Sequence, residues 1–294
     1  MKVLITGAGG QLGRDLVAAF AGVTPGVGDL VAIEHRDLDV GDEDAVRAAV
    51  DAYRPEVVVN AAAWTEVDGC EADPARAHRV NALGPWWLAR ACARRGARLI
   101  TLSTDYVFSG VAPVDGTGQP RGWSEFDPVD PLNVYGRSKV AGEELVRQTL
   151  AEHHIVRTSW LAGARGRNFV TTMLRLARER GEVAVVDDQV GSPTCTRDLA
   201  AAIVELAHSE HYGTWNRTGS GWCSWYELAA AVFELSDIEV ELTPQSSAAL
   251  DRPAARPAWS VLDPLHAESC GLRVLPHWRD GLERLLAEMA GMAD

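Results

Sequence analysis

The chain has 294 residues, with 28 Lys and Arg against 41 Asp and Glu, a formal net charge of −13. That length supports one large or two modest cores, and the acidic balance argues against a nucleic-acid surface or a polybasic membrane anchor. Five cysteines, odd in number and without a CxxC pair, and no leader-like or long apolar segment read as reduced thiols in a cytoplasmic protein.

In chain order, Lys2–Thr6 is short, apolar and β-branched, and residues 12–20 then repeat apolar side chains at helical spacing. A second strand covers 30–33, a helix 42–53, a third strand Val57–Asn60, and one long helix 74–95. A fourth strand over 98–102, a helix over 136–152 and a strand over 154–159 complete the regular part. This alternation predicts an α/β fold, a Rossmann-type doubly wound parallel sheet, with a smaller C-terminal substrate-binding region. The expected division is a dinucleotide-binding domain over 1–160 and a mainly substrate-binding domain over 161–294, part of 182–218 returning to the first core. The stretch 110–132, rich in Gly, Pro and Asp, is too long for an ordinary connection and reads as a functional loop.

Between the first strand and first helix lies GAGGQLG, residues 7–13. Glycines at 7, 10 and 13 permit a tight turn, close approach of a pyrophosphate and close helix-on-strand packing, with Gln11 and Leu12 opening the helix. After the second strand come Glu34, Arg36 and Asp39. An acidic residue there suits the ribose hydroxyls of NAD and an arginine the extra phosphate of NADP, so either NADH or NADPH fits.

The strongest chemical signal is Tyr135-Gly-Arg-Ser-Lys139. Tyrosine and lysine four apart on a helix share a face. An ammonium beside a phenol stabilises the phenolate and lowers its pKa toward a useful range. The eight histidines include no HExxH, and no metal site is predicted from the residues.

With these motifs in hand, the chain resembles the extended short-chain dehydrogenase/reductases, and within them the dTDP-4-dehydrorhamnose reductase family. The resemblance is carried by GAGGQLG, NAAAWTEVDGCE, LSTDYVF, DPLNVYGRSKVAGE, RTSW, GRNF, DDQVGSPT and RPAWSVLD, in the family's order over most of the chain. It implies reduction of the C4 ketone of a dTDP-6-deoxy-4-ketohexose, most simply dTDP-4-dehydro-L-rhamnose to dTDP-L-rhamnose. Tyr135 would be the acid, Thr104 a hydrogen-bond donor to the reacting oxygen, and Lys139 the residue that holds the nicotinamide ribose and lowers the phenol pKa. Asp105 and Tyr106 would contact substrate; related dehydratases carry glutamate where this chain has Tyr106, which favours reduction over dehydration.

The resemblance further places the backbone of Ala61, Ala62 and Ala63 against the cofactor ribose, and makes Asn81 a water-linked support for the lysine. Trp160, Asn168 and Arg256 would contact the nucleotide sugar, Arg256 gripping its diphosphate. Small residues at 61–63 equally suit plain strand-on-helix packing, and Asn168 equally suits a helix cap. Within the family pattern the loop 110–124 is long and Ser109 replaces the usual acidic residue, which leaves open another dTDP-4-ketosugar, of the dihydrostreptose type. A non-catalytic NADP-binding regulatory subunit is the alternative from another class, but the tyrosine, lysine and threonine are all present. Some relatives are bridged as homodimers by a divalent metal such as magnesium, an arrangement that the residues themselves do not predict.

Overall fold

The computed structural model describes residues 1–22 and 29–292. Six strands build one parallel sheet: β1 (Lys2–Thr6), β2 (Asp29–Ile33), β3 (Val57–Asn60), β4 (Arg98–Thr104), β5 (His153–Thr158) and β6 (Gly213–Asn216), in the order β6-β5-β4-β3-β1-β2. All five pairings are parallel.

Successive strand residues point to opposite faces, so unbroken apolar runs need a helical layer on each side. On one face Val3, Ile5, Val57, Val59, Ile100 and Val156 pack against Leu12, Leu16 and Phe20 of α1 (Gln11–Gly22). On the other, Leu4, Val58, Leu99 and Ile155 meet Val46 and Val50 of α2 (Glu43–Tyr53), Leu88 and Cys92 of α3 (Gly84–Arg95), and Val146 of α4 (Val134–Thr149). Strand order reverses between β1 and β3, so the chain leaves their carboxyl ends in opposite directions and opens a crevice there.

The helix predicted over 74–95 is broken. Pro74–His78 is α-helical, Arg79–Leu83 forms a π turn, and α3 follows. The extra residue in that turn rotates Asn81 inward, where its amide finds partners described below; π turns of this kind recur at functional sites. Strand β4 also runs two residues further than its apolar pattern suggests, to Thr104.

Beyond β5 come α5 (Phe169–Arg180), α6 (Thr196–Ala207), α7 (Trp225–Leu235) and α8 (Trp278–Gly291). Helix α6 returns to the sheet, burying Leu199, Ile203 and Leu206 beside α1, and leads into β6. Helices α5, α7 and α8 form a second core around Met173, Leu174, Leu228, Val232, Leu282 and Leu285. Among the described residues, no helix is long and apolar enough to cross a membrane.

The stretch 110–132 is not a free flap over the crevice. The Trp123 ring stacks on Phe108 at 4.7 Å. Backbone bonds tie Trp123 to Val261 and Asp263, each at 2.8 Å, and Asn216 Nδ2 donates to the Trp123 carbonyl at 2.7 Å. A bidentate Arg121–Asp127 pair (2.6 and 2.7 Å) closes the segment on itself. Its turn-rich composition thus serves a clasp between the sheet and residues 257–263.

Candidate active site

The crevice holds two adjoining clefts that share Gly10, Ala61 and Ala63. One, of about 520 Å³, is bordered by Gly7, Glu34, Arg36, Asp39, Ala62 and Arg76. The other, of about 420 Å³, is bordered by Gln11, Leu12, Gly13, Thr104, Asp105, Tyr106, Tyr135, Lys139, Trp160 and Trp225. A larger groove of about 910 Å³ between α5 and α8 shares no residue with either.

The glycine loop is shaped by contact as much as by torsion. Gly7 has φ +70° and a Cβ there would lie 2.7 Å from Ala61, while a Cβ on Gly13 would lie 2.1 Å from the Gly7 carbonyl oxygen. Only glycine allows this, and the N-terminus of α1 is left facing the crevice with donors for an anion. Asn60 fixes the opposite lip. Its amide receives Thr6 Oγ1 at 2.7 Å and Ala62 N at 3.2 Å and donates to Thr101 Oγ1 at 3.1 Å, linking β1, β3 and β4.

The four polar residues at the end of β4 and the start of the turn that follows, Ser103 to Tyr106, part company. Ser103, which also borders the cleft, donates to Glu143 Oε1 at 2.5 Å on the α4 face. Thr104 caps a short 3-10 turn, Asp105–Val107, accepting from Tyr106 N at 3.2 Å and donating to Asp105 Oδ1 at 2.9 Å. Asp105 is buried, and desolvation raises its pKa to about 6 against help from Ser260 and Thr104. The Tyr106 and Tyr135 rings meet edge to face at 5.6 Å.

Asn133 caps α4 through Gly136 N at 2.8 Å, which puts Tyr135 in the first turn and Lys139 one turn later on the same face. The phenol lies against Thr104, whose hydroxyl pulls its pKa down, but burial dominates and holds it well above the ordinary value. Lys139 is also buried, its pKa lowered by desolvation to about 8 despite Glu143. Its Nζ donates to the Leu102 carbonyl at 2.7 Å. Desolvation of the ring thus sets the direction of the phenol's shift, while the lysine ammonium is anchored on β4.

A family model described as the RmlD substrate binding domain matches residues 1–290. The chain belongs to the RmlD family. It is similar to the dTDP-4-dehydrorhamnose reductase of Streptomyces griseus, 43% identical over 99% of this chain and 94% of that one. A dTDP-4-dehydrorhamnose reductase structure from Clostridium acetobutylicum superimposes with a TM-score of 0.93 at 39% identity, covering 99% of this chain and 100% of the other. The Bacillus anthracis dTDP-4-dehydrorhamnose reductase in complex with NADP gives 0.91 at 39% identity, covering 98% and 99%.

In this RmlD-family chain the remaining sequence candidates fall into two groups. Gly7, Gly10, Gln11, Leu12, Gly13, Arg36, Asp39, Ala61, Ala62, Ala63 and Trp160 border the clefts. Asn168 does not; its Oδ1 caps α5 at Thr171 N (3.0 Å), and its Nδ2 reaches Gly163 O at 2.8 Å and Gln11 Oε1 at 3.5 Å. Arg256 lies behind Tyr106, whose hydroxyl it contacts. Its guanidinium is bound bidentately by Asp68 at 2.7 Å twice and donates to Ala254 O at 2.6 Å. Asn81 accepts from Trp64 N at 2.9 Å and donates to Trp64 O at 2.9 Å and Ser138 Oγ at 3.1 Å, joining the β3 lip directly to α4.

Sequence reasoning missed four residues. Trp225 borders the cleft from a helix far along the chain. Arg76, placed over the Trp64 ring at 4.4 Å, borders the other cleft. Glu143 and Arg157 form a buried pair (3.0 and 2.7 Å) beneath Ser103. Only Glu143 carried a local hint, lying four residues beyond Lys139 on the same helical face.

Proposed function

We propose that this protein reduces the C4 ketone of dTDP-4-dehydro-L-rhamnose with NADPH, giving dTDP-L-rhamnose. One observation carries the reading. Thr104, Tyr135 and Lys139 border a single cleft that continues into the glycine-loop crevice, in a chain that matches named reductases from end to end.

The glycine cradle suits a dinucleotide, because a Cβ at Gly7 or Gly13 would fill the space beside the α1 N-terminus. Arg36 and Arg76 border the outer cleft and supply positive charge for a ribose phosphate. Bound there, the dihydronicotinamide supplies the hydride. Tyr135 Oη delivers its proton to the oxygen that was the ketone. Thr104 Oγ1, already against that phenol, donates to the same oxygen as charge develops on it. A buried phenol is a reluctant acid at rest, so Tyr135 keeps its proton until the alkoxide forms. Lys139, fixed on Leu102 O, presents its ammonium to the ribose and to the phenolate left behind. Asp105, Tyr106 and Trp160 wall the sugar subsite, and the region of α5, α7 and α8 carries the nucleotide sugar. The loop 110–132 shapes this region from outside, through its clasp on residues 257–263. All five cysteines are free and four are buried, which supports a cytoplasmic, reducing location.

The test is nicotinamide absorbance on mixing the protein with NADPH or NADH and dTDP-6-deoxy-L-lyxo-4-hexulose. Oxidation matched by dTDP-L-rhamnose, faster with NADPH, is the expected result. Intact NADPH binding without oxidation would overturn the substrate assignment.

A further inference from the structure

Trp160 is one of three non-glycine residues with positive φ among the described residues, at +48°. A left-handed backbone at a bulky aromatic is strained and persists only where the surroundings impose it. Two features impose it here. The Trp160 indole stacks on Trp225 with ring centroids 3.5 Å apart and planes within 5°. Gly191 leaves room for the ring, since a Cβ there would lie 2.5 Å from Trp160 Cε2. Ser159 Oγ, donating to Ser192 O at 2.6 Å, and Thr194 N, donating to Trp160 O at 3.2 Å, pin the backbone on either side.

Both indoles border the cleft that holds Thr104, Tyr135 and Lys139. Behind them lies a small apolar void of about 80 Å³ lined by Phe169, Pro193, Cys195 and Leu228. Without the stack, Trp160 has both a reason to leave its strained conformation and a space to turn toward.

We infer that Trp225 is a positioning residue for the sugar-nucleotide subsite: by stacking on Trp160 it holds that side chain in its strained conformation as a wall of the cleft. The inference rests on the reading of this cleft as the site of a dTDP-linked ketosugar. On this inference Trp225 acts through Trp160, so its loss weakens substrate binding and leaves proton delivery from Tyr135 in place.

The experiment compares wild type with Trp225→Leu, Trp225→Phe and Gly191→Ala, the last displacing Trp160 while Trp225 stays. Trp225→Leu should raise KM for dTDP-6-deoxy-L-lyxo-4-hexulose about tenfold, with kcat within about threefold and KM for NADPH unchanged. Gly191→Ala should reproduce that split, and Trp225→Phe, which keeps a ring to stack on, should recover most of the affinity. Trp225→Leu and Trp160→Leu should show the same far-ultraviolet exciton difference from wild type, over the constant contribution of the stacked Trp86–Trp87 pair. An unchanged ketosugar KM in Trp225→Leu overturns the inference, as does the absence of that exciton difference between wild type and the two variants. A joint loss of kcat, NADPH affinity and thermal stability that phenylalanine does not rescue also overturns it, marking Trp225 as a core residue only. If wild type turns over no ketosugar, the functional reading fails separately. The stack is then judged by calorimetric affinity for dTDP, and equal affinity in wild type and Trp225→Leu overturns the inference.

Discussion

Gly136 rests on the backbone of Tyr106 so closely that a Cβ at position 136 would lie 2.2 Å from the Tyr106 carbonyl oxygen and 2.9 Å from Pro131 Cβ. One glycine therefore sets how near the first turn of α4, with Tyr135, comes to the end of β4, with Thr104. Gly136→Ala gains helix propensity of up to ~1 kcal/mol but overpacks a buried contact at a cost of about 1–3 kcal/mol. The expected outcome is a lower urea midpoint together with a lower kcat, because the same contact that stabilises the fold aligns the phenol with Thr104.

Tyr135→Phe keeps the ring and its edge contact with Tyr106 and removes the proton. Turnover should fall by about 10²–10⁴-fold, while NADPH affinity, followed by fluorescence titration, stays near the wild-type value. Full activity in this variant would remove the mechanism.

Lys139 links activity and stability to pH with opposite signs. Burial lowers its pKa from the ordinary 10.5 to about 8. The ammonium that the proposed mechanism places at the ribose is lost as pH rises through that value, so kcat/KM should decline on the alkaline side. For stability, the unfolded chain binds a proton between pH 8 and 10.5 that the folded chain does not, so this group's penalty is full below about 8 and fades toward 10.5. Urea titrations at about pH 7 and about pH 9.5 should show a smaller gain on raising pH in Lys139→Met than in wild type.

Asp105 works the other way. Its pKa is raised from 3.8 to about 6, so the folded chain holds an extra proton between these values. Its contribution to stability is fully present below 3.8 and lost as pH rises through about 6. Asp105→Asn removes the buried charge and should stabilise the fold at neutral pH by on the order of 1–3 kcal/mol, with little change near about pH 4. Catalytic efficiency should fall in the same variant, the trade expected where a destabilising group serves a site.

Glu143 and Arg157 are each 2% exposed in their side chains. Burial pushes the Glu143 pKa up, but Arg157, Arg147 and Ser103 together hold it below the ordinary value. Glu143→Gln leaves the Arg157 charge uncompensated in the core and should cost about 3–5 kcal/mol in denaturant unfolding, with replacement of both by apolar residues of similar volume costing less.

Much of this protein was legible in the sequence. Apolar runs such as Val57–Asn60 and their alternation with helical patterns suffice for a doubly wound parallel sheet, because burial on both faces and helical periodicity are short-range signals. The glycines at 7 and 13, and the four-residue step from Tyr135 to Lys139, are equally local: each encodes its own backbone requirement or shared helix face. Tertiary structure decided which polar group found which partner. Ser103 and Thr104, adjacent in the chain, both meet α4, but Ser103 donates to Glu143, about two turns beyond Tyr135, while Thr104 lies against Tyr135 in the helix's first turn. Arg256, a phosphate ligand by residue type, is paired with Asp68, 188 positions away. The loop 110–132 folds onto residues 257–263, and Trp225, 65 positions from Trp160, borders the cleft stacked on that indole. Contacts of this range depend on desolvation and on the arrangement of whole elements, and no local spacing in the chain records them.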